Sequence, residues 1–495
     1  MVRLLVGSKK FRGRAATGLV ASAIRAGGQL LSLHSEQQAA DRFLLSVAHA
    51  FPSAKIATWR GGRGGIADRD TFSGFASGSI DVAAGIGPAV FLPAHRLVAI
   101  AVEGEEDQNH SRGWGRVRFN CRDVAIRRAQ LEAVDCLLMA PSPSVEMCHR
   151  YGFGAIFLEE DGDELGVSHL TVLPINLSAL PSSQRLLSPQ LLAILGRTIG
   201  DGGRAILSHR HGGISRSHCS RCSEVLLCPQ CHCPLSYVGK IEGHSCLRCG
   251  VEMAASSRCA TCGGPLRRVG SGLGKVELLL RRYFPEMAII HGASWCGEKL
   301  SGGCILLSSD PSPPLVEDFK PSLFAVLDGD DLFFPRNFRS EERAFQFLWR
   351  MADAMEPGCA FLIQTTNVGC SPLRHFVDGD RKSFCEKEVV SRAPLAYPPH
   401  RHLIVQKFLA VGDEFFADFT DRWGALLTSI CSSVANSEWK GPIFRKGGGR
   451  PAKRSATFWI FTADPEKFFV SLEKGRASNF APGNGIEERI SVDPF

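Results

Sequence analysis

Eight cysteines near the middle of the chain have the spacing of metal ligands. They form four C-x-x-C pairs within 44 residues, and each pair places two thiolates close enough to chelate one Zn²⁺ ion. Eight thiolates make two closed four-ligand sites, which leave no position for water or substrate, so we expect both ions to be structural. The eight candidate ligands are Cys219, Cys222, Cys228, Cys231, Cys246, Cys249, Cys259 and Cys262.

The intervals between the pairs bear on which pairs share an ion. Five residues separate the first two pairs, fourteen the middle two and nine the last two. A nested arrangement fits these spacings, while sequential and crossed pairings remain sterically possible. In the nested arrangement the first zinc is bound by Cys219, Cys222, Cys259 and Cys262, and the second by Cys228, Cys231, Cys246 and Cys249.

The composition is typical of an intracellular globular protein. A chain of 495 residues suggests about three or four domains, and 44% hydrophobic with 22% charged residues excludes global disorder. Paired cysteines in such a chain favour metal binding over disulfides, and the ten others are expected to be small buried side chains. Because the chain has neither a signal-peptide core nor a run of about 18 apolar residues, we expect a cytoplasmic protein without a membrane partner.

The charge balance allows a nucleic-acid partner without requiring one. Lys and Arg exceed Asp and Glu by 57 to 50, a mild excess. A loop expected over residues 440–454 contains six Lys or Arg around three glycines and no acidic residue. Such a loop could bind phosphates, and a solvated hairpin is the alternative. Its candidate DNA contacts are Arg445, Lys446 and Arg450.

Alternating strand and helix patterns predict two α/β units. The first pattern runs from residue 4 to 159 and includes an apolar strand-like run over 80–90, and the second begins near residue 190. The cysteines interrupt this second unit, which resumes at residue 276, with a strand expected over 323–328. A separate α+β pattern follows. The predicted domains are 1–165 (first α/β unit), 166–215 (linker and start of the second α/β unit), 216–265 (two-zinc module), 266–396 (remainder of the second α/β unit) and 397–495 (C-terminal domain).

The cysteine spacing resembles that of the primosomal protein N′ (PriA) family of superfamily-2 helicases. Residues 269–277 with Phe284-Pro285 resemble the segment after the family's zinc module, and residues 338–343 resemble its F-R-A-x-E-R helix. The resemblance covers nearly the whole chain. It implies two RecA-like helicase lobes, a zinc module inserted in the second lobe with nested pairing, and a small C-terminal α+β domain.

The nucleotide-binding motifs of that family are altered in this chain. A working P-loop needs G-x-x-x-x-G-K-[ST], and residues 4–14 stand in its place without Gly-Lys-Ser/Thr. The D-E-E-H box corresponds to residues 103–106, the S-A-T-P-S motif to 139–144, and the final arginine to Ala354. Because these groups stabilise one transition state, their loss predicts no ATP-driven translocation, and ATP binding is doubtful. The degenerate nucleotide-binding candidates are Lys9, Lys10, Glu103 and Glu105.

The resemblance and its departures together predict a replication-restart protein that lacks helicase activity. It is expected to bind forked or single-stranded DNA, to associate with the nucleoid and to support primosome assembly. Its expected partners are other primosome proteins, single-stranded-DNA-binding protein and the replicative helicase. The chain begins almost at the first lobe, so the family's region that recognises nascent 3′ ends is expected to be absent. The alternatives are an active ATP-dependent 3′→5′ DNA helicase with unconventional motifs, and a zinc-stabilised scaffold that contacts only proteins.

Two further pairs of residues are candidate DNA contacts. Arg339 and Arg343 lie four positions apart on an expected helix and share a face, where pairing with neighbouring glutamates is the alternative. His209 and Arg210 follow the strand expected over 204–207, at the edge of the second lobe that the resemblance implies faces DNA. An exposed loop is the alternative there.

Overall fold

The chain divides into two compact units. The computed structural model describes residues 1–61, 66–111, 117–151, 167–209, 215–219, 221–222, 224, 226–230, 235–238, 243–246, 251–269, 273–295, 297, 302–411, 416–446, 453–479 and 486–493. One unit comprises Met1–Leu165, Asp380–Phe444 and Gly449–Phe495, and the other comprises Gly166–Gly379 and Arg445–Gly448.

The first unit opens with alternating strands and helices. These are β1 (Val2–Val6), α1 (Lys9–Arg25), β2 (Gln29–His34), α2 (Gln37–Ala50), β3 (Ile56–Trp59), α3 (Ile66–Ser77), β4 (Val82–Ile86), β5 (Leu97–Glu103), β6 (Val117–Arg118), α4 (Cys121–Glu132), β7 (Asp135–Ala140) and α5 (Val145–Tyr151). Six strands form a parallel sheet in the order β1-β7-β5-β2-β4-β3. Apolar side chains form two core clusters around these strands, which explains their nearly continuous apolar sequences.

The second unit contains another six-stranded parallel sheet, in which the strand over 204–208 lies between those over 304–308 and 323–326, the strand over 288–291 forms one edge, and those over 360–365 and 171–176 complete the other side. Its elements outside the cysteine region are β8 (Thr171–Asn176), α6 (Pro189–Gly200), β9 (Arg204–Ser208), α7 (Leu273–Tyr283), β15 (Ala288–His291), β16 (Cys304–Ser308), α8 (Pro313–Phe319), β17 (Leu323–Val326), α9 (Gly329–Leu332), α10 (Ser340–Asp353), β18 (Ala360–Thr365) and α11 (Ser371–Val377). The two parallel sheets confirm the expected α/β class with two RecA-like lobes.

The cysteine region forms a small antiparallel sheet inserted between β9 and α7. Its strands are β10 (Ser215–Cys219), β11 (Ser236–Val238), β12 (Gly243–Ser245), β13 (Glu252–Ala254) and β14 (Leu266–Val269). They pair in the order β13-β12-β11-β10-β14. Because β10 pairs with β14, the module enters and leaves the second lobe at one place. The expected insertion is therefore confirmed.

The remaining elements return to the first unit. They are α12 (Arg381–Arg392), β19 (His402–Val411), α13 (Phe416–Ser433), β20 (Glu438–Lys446), β21 (Lys453–Thr462), α14 (Pro465–Asn479) and β22 (Ile486–Val492). They form an α+β arrangement whose sheet has the order β20-β21-β19-β22-β6. The short strand β6, from the early part of the chain, pairs in parallel with β22. The boundaries predicted for the five domains remain a prediction.

Three local expectations were wrong. The strand expected over 80–90 ends at Ile86 and continues as a 3-10 helix over Gly87–Phe91, because Gly87 has a φ of 49° and Pro88 has no N–H to donate. The strand expected over 323–328 ends at Val326, and Asp328 caps α9 instead. Much of the loop expected over 440–454 is strand in β20 and β21.

No helix in the described part of the chain combines the length and apolar character that crossing a bilayer requires.

Candidate zinc centre and altered nucleotide site

The outer two cysteine pairs converge on one point of the inserted module. The Sγ atoms of Cys219, Cys222, Cys259 and Cys262 all lie within 4.8 Å of one another. Cys262 Sγ is 3.3 Å from Cys219 Sγ and 3.4 Å from Cys222 Sγ, and Cys222 Sγ is 3.8 Å from Cys259 Sγ. Tetrahedral zinc with Zn–S bonds of about 2.3 Å separates its sulfurs by about 3.8 Å. This donor set therefore fits one zinc ion.

In the described part of the chain, a shared backbone turn begins three of the C-x-x-C pairs. The N–H groups of Cys219, Cys246 and Cys259 each donate, at 2.8 Å, to the carbonyl oxygen five residues later. At Cys219, acceptance of the Cys222 N–H lowers the thiol pKa to about 6. The N–H of Cys262 likewise lowers the pKa of Cys259. These hydrogen bonds favour the thiolates of Cys219 and Cys259, the form that binds zinc.

The inner two pairs are described only in part. Cys228 and Cys246 are buried and pack with Leu235 in a small core cluster. Their partners Cys231 and Cys249 lie outside the described residues. The second zinc site therefore remains a prediction.

Gly264 lies against the first site, and its substitution is expected to weaken zinc binding. A Cβ on this residue would lie 2.8 Å from Cys219 Sγ and 3.2 Å from Cys262 Sγ, so Gly264→Ala should displace a ligand. We expect zinc to leave this variant at least tenfold faster than wild type in a chelator-competition assay. Gly274→Ala is the matched control, because nothing lies within 4 Å of a Cβ there. Equal release rates for both variants would contradict this view of Gly264.

The turn between β1 and α1 lies in the segment where the resemblance predicts a phosphate-binding loop. β1 ends at Val6 and α1 begins at Lys9, so only Gly7 and Ser8 connect them. A P-loop places G-x-x-x-x-G between its strand and the Lys of its helix, and this connection is too short for it. The Ser8 hydroxyl also accepts the Phe11 N–H at 3.3 Å. That bond occupies a helix N-terminal donor of the kind that binds phosphates.

The Arg12 side chain occupies the space beside this turn. It is 5% exposed, donates from Nη1 to the Gly7 carbonyl oxygen at 2.5 Å and from Nε to Glu103 Oε1 at 2.9 Å. The Phe11 ring lies against Gly7, where an added Cβ would be 2.7 Å from the ring. Glu103, which the resemblance aligns with a metal-binding residue, is thus paired with a protein cation. As they stand, these residues do not fit a bound nucleotide.

Glu105 lies in a buried network instead of facing solvent. It is fully buried and accepts hydrogen bonds from Arg122 Nη1 at 3.0 Å and from Ser144 N and Oγ at 2.6 and 2.8 Å. Burial raises the pKa of Glu105, although Arg122 and Ser144 favour its ionised form. Lys9 and Lys10 are exposed in the first turn of α1. Glu105 therefore faces protein, whereas the two lysines are exposed to solvent.

A buried histidine lies near the same edge of the sheet. His34 Nε2 hydrogen-bonds with Ser32 Oγ at 2.9 Å, and His110 donates from Nε2 to the Glu103 carbonyl oxygen at 2.9 Å. Burial, together with the proximity of His110, lowers the pKa of His34 to about 3. His34 is therefore neutral at neutral pH.

This histidine is expected to make the first unit less stable in acid. The unfolded chain protonates His34 below pH of about 6.5 and the folded chain does not, so stability falls by up to about 1.4 kcal/mol per pH unit as pH drops below that value. His34→Gln should reduce the acid-induced fall in unfolding temperature between about pH 7 and pH 5. The exposed His49 provides the control variant His49→Gln. If both variants show the same acid-induced fall in unfolding temperature as wild type, the protonation of His34 does not determine that fall.

The DNA-contact candidates have different surroundings. Arg339 is 1% exposed and pairs with Glu342 at 3.2 Å, so its guanidinium faces protein. Arg343 is half-buried and His209 is buried. Arg210 and Arg450, and the side chains of Arg445 and Lys446, lie outside what the structure describes.

Sequence reasoning did not single out three residues of the first lobe. Arg12, Arg122 and His34 are isolated in sequence from the acidic turn that they surround. Only Arg12 had a signal, as a basic residue within the segment that replaces the P-loop. Arg122 and His34 carried none.

Curated proteins resemble the chain over much of its length, and no protein-family model matches it. Replication restart protein PriA of Thermotoga maritima is 26% identical over 501 residues, which cover 94% of this chain and 63% of that protein. The proteins of the same name in Synechocystis sp. and Bacillus subtilis are 25% and 24% identical, over 72% and 64% of this chain and 47% and 42% of their own lengths. The chain thus spans less than two thirds of each relative.

Solved structures with a likeness to the chain include nucleic-acid complexes. RecG bound to a three-way DNA junction has a TM-score of 0.43 at 12% identity, over 80% of this chain and 44% of that chain. Dbp5 of S. cerevisiae bound to RNA and ADP BeF3 has a TM-score of 0.43 at 11% identity, over 80% and 89%. Both TM-scores are below 0.5, so the fold class rests on the strand orders. The curated relatives support the PriA replication restart family as the family of this chain.

Proposed function

We propose that this chain binds DNA at stalled or branched replication forks and supports primosome assembly without acting as a helicase. The observation that carries the proposal is the turn between β1 and α1. Its two residues are too few for a P-loop, and Arg12 takes the place of an external cation at Glu103. A helicase engine needs both a phosphate cradle and a bound Mg²⁺. The relatives named as replication restart proteins supply the biological setting.

A second feature of the motifs supports the absence of ATP-driven work. The family's final arginine, which stabilises charge on the transferred phosphoryl group, corresponds to Ala354. This residue is the C-cap of α10 and is 9% exposed. A methyl side chain offers no hydrogen-bond donor, so the chain would lack this contribution even if a nucleotide reached the site.

The zinc module serves this function as a rigid surface. We propose two zinc ions per chain, one in the geometry of the outer pairs and one held by the inner pairs. Closed thiolate shells give zinc a structural role, because they leave no position for catalysis. The module would then present a fixed surface to another primosome protein, to the replicative helicase, to single-stranded-DNA-binding protein or to a DNA end. Association with the nucleoid would follow from fork binding.

The β20–β21 hairpin is the proposed DNA contact in the C-terminal part. Lys440 and Phe444 are exposed on β20, and Lys440 Nζ lies 5.3 Å from the centre of the Phe461 ring. Exposed basic and aromatic side chains together suit single-stranded nucleic acid, since phosphates pair with cations and bases stack on rings. Arg445 and Lys446 at the end of β20, and Arg450 four residues later in the sequence, add to this basic character.

Fluorescence anisotropy with forked DNA tests the proposal. Binding should need no ATP and should weaken steeply with salt. The triple variant Arg445→Ala/Lys446→Ala/Arg450→Ala should bind at least tenfold more weakly, with a shallower dependence on salt.

A control variant removes the same charge elsewhere, at the exposed residues Arg197, Lys382 and Lys467. Equal losses in both triple variants would count against a specific contact at the hairpin. Strand separation that depends on ATP would favour the active helicase, and no salt-sensitive fork binding would favour the protein-only scaffold.

A further inference from the structure

Two cysteines far apart in sequence meet inside the first unit. Cys148 on α5 and Cys385 on α12 are both buried, and their Sγ atoms lie 3.1 Å apart although the residues are 237 positions apart in the chain. A disulfide has an S–S distance of about 2.05 Å. The sulfurs therefore need to approach by only about 1 Å to bond.

We propose that Cys148 and Cys385 are a redox modification site, which forms a disulfide when the protein meets a hydroperoxide. The site depends only on the contact between α5 and α12 and is independent of the proposed function. It also involves none of the eight cysteines of the zinc module.

Other contacts between the two segments fix the approach of the sulfurs. Arg392 on α12 lies 4.0 Å from Glu146 on α5 and also pairs with Glu388 at 2.9 Å. The rings of His149 and His400 have their centroids 5.4 Å apart. These contacts lie on both sides of the cysteine pair, on α5, on α12 and in the turn after α12. They hold the two helices, and therefore the two thiols, next to each other.

The chemistry balances with one hydroperoxide. One thiolate attacks the peroxide oxygen and becomes a sulfenic acid, releasing hydroxide or alkoxide. The second thiol then attacks the sulfenic sulfur, the S–S bond forms, and water leaves. Two thiols lose two electrons and two protons, and the peroxide is reduced by two electrons. Since both sulfurs are buried, the reaction proceeds when the interface opens transiently.

The bond would change how the chain is connected. The main segment of the second unit ends at Gly379, shortly before α12, so a bond between Cys148 and Cys385 encloses residues 166–379 in a covalent loop. It would tether the segment that leaves the second unit to α5. The bond reduces the number of conformations open to the unfolded chain. The oxidised protein should therefore unfold at a higher temperature than the reduced protein.

Non-reducing electrophoresis and peptide mapping test the proposal on the full-length, zinc-loaded protein. After hydrogen peroxide treatment and thiol blocking, wild type should show a faster band, and mass spectrometry should find the peptides of Cys148 and Cys385 linked. Cys148→Ala and Cys385→Ala should each lose the band, whereas Cys304→Ala, which removes a buried cysteine from β16, should keep it.

Two results would overturn the proposal. One is a wild-type peptide map in which the linked pair is absent after oxidation has consumed other thiols. The other is a fast band that persists in Cys148→Ala. The wild-type map decides the matter even if a variant folds poorly.

Discussion

Replacing Cys259 with Ser is expected to lower the zinc content from about two ions per chain to about one and to unfold the inserted module. Cys259 is one of four sulfurs that converge within 4.8 Å. The module has a small apolar core in its described part, built around Cys228, Leu235 and Cys246. Segments of this size cannot bury enough apolar surface to fold without a metal or disulfides, so loss of one ion should be loss of structure.

Zinc content and hydrogen exchange together measure this effect. Protection should vanish in β10 and β14 of the variant and persist in β9 and β16 of the parallel sheet, which have their own core. Cys359→Ser, at a half-buried cysteine outside the module, is the control and should keep both zinc and protection. A Cys259→Ser protein with unchanged zinc and exchange would refute the assignment of this ligand.

Replacing Arg122 with Met is expected to destabilise the first lobe by about 3–5 kcal/mol, because it leaves a buried carboxylate without its cation. Arg122 is 2% exposed and Glu105 is 0% exposed, with 3.0 Å between Nη1 and Oε2. Ser144 still donates two hydrogen bonds to Glu105, but no charge would remain to offset burial. The double variant Arg122→Met/Glu105→Leu should recover much of the loss, since it removes both charges.

Hydrogen exchange in β5 and β7 measures this loss better than a single unfolding curve, because a chain of several domains is not two-state. Arg127→Ala is the matched control on the same helix. Its ion pair with Glu466 is exposed on both sides, and such pairs contribute about 0–1 kcal/mol. If hydrogen exchange in β5 and β7 is equally fast in Arg122→Met and Arg127→Ala, the buried network does not stabilise these strands.

The sequence was most informative where function requires a fixed local spacing. The C-x-x-C pairs predicted a cluster at the outer cysteines, whose sulfurs converge in the structure, because chelation of one ion would set the spacing of Cys219 and Cys222 within a single turn. Strand and helix periodicity predicted both parallel sheets, since burial on two faces demands continuous apolar runs such as residues 304–308. The loss of the P-loop could also be predicted locally, because residues 4–14 contain no Gly-Lys-Ser/Thr.

Contacts between distant segments left no such signature. Nothing near Arg122 in the sequence indicates that it reaches Glu105, and nothing near Cys148 indicates Cys385, because the fold alone brings these segments together. The pairing of β6 with β22 is of the same kind, since two residues are too few for a pattern. Arg339 shows the opposite difficulty: its helix was foreseen, but its burial against Glu342 depends on tertiary packing.

Steady-state ATP hydrolysis by zinc-loaded protein, measured with and without forked DNA, tests the central claim most directly. The double variant Lys9→Ala/Lys10→Ala, altered at two exposed residues of the first turn of α1, reports contaminating ATPase. With Arg12 paired to Glu103 and no room for a P-loop, we predict no hydrolysis above that variant's background under either condition. Hydrolysis that rises with the fork and disappears in the variant would contradict the account and identify a working helicase engine.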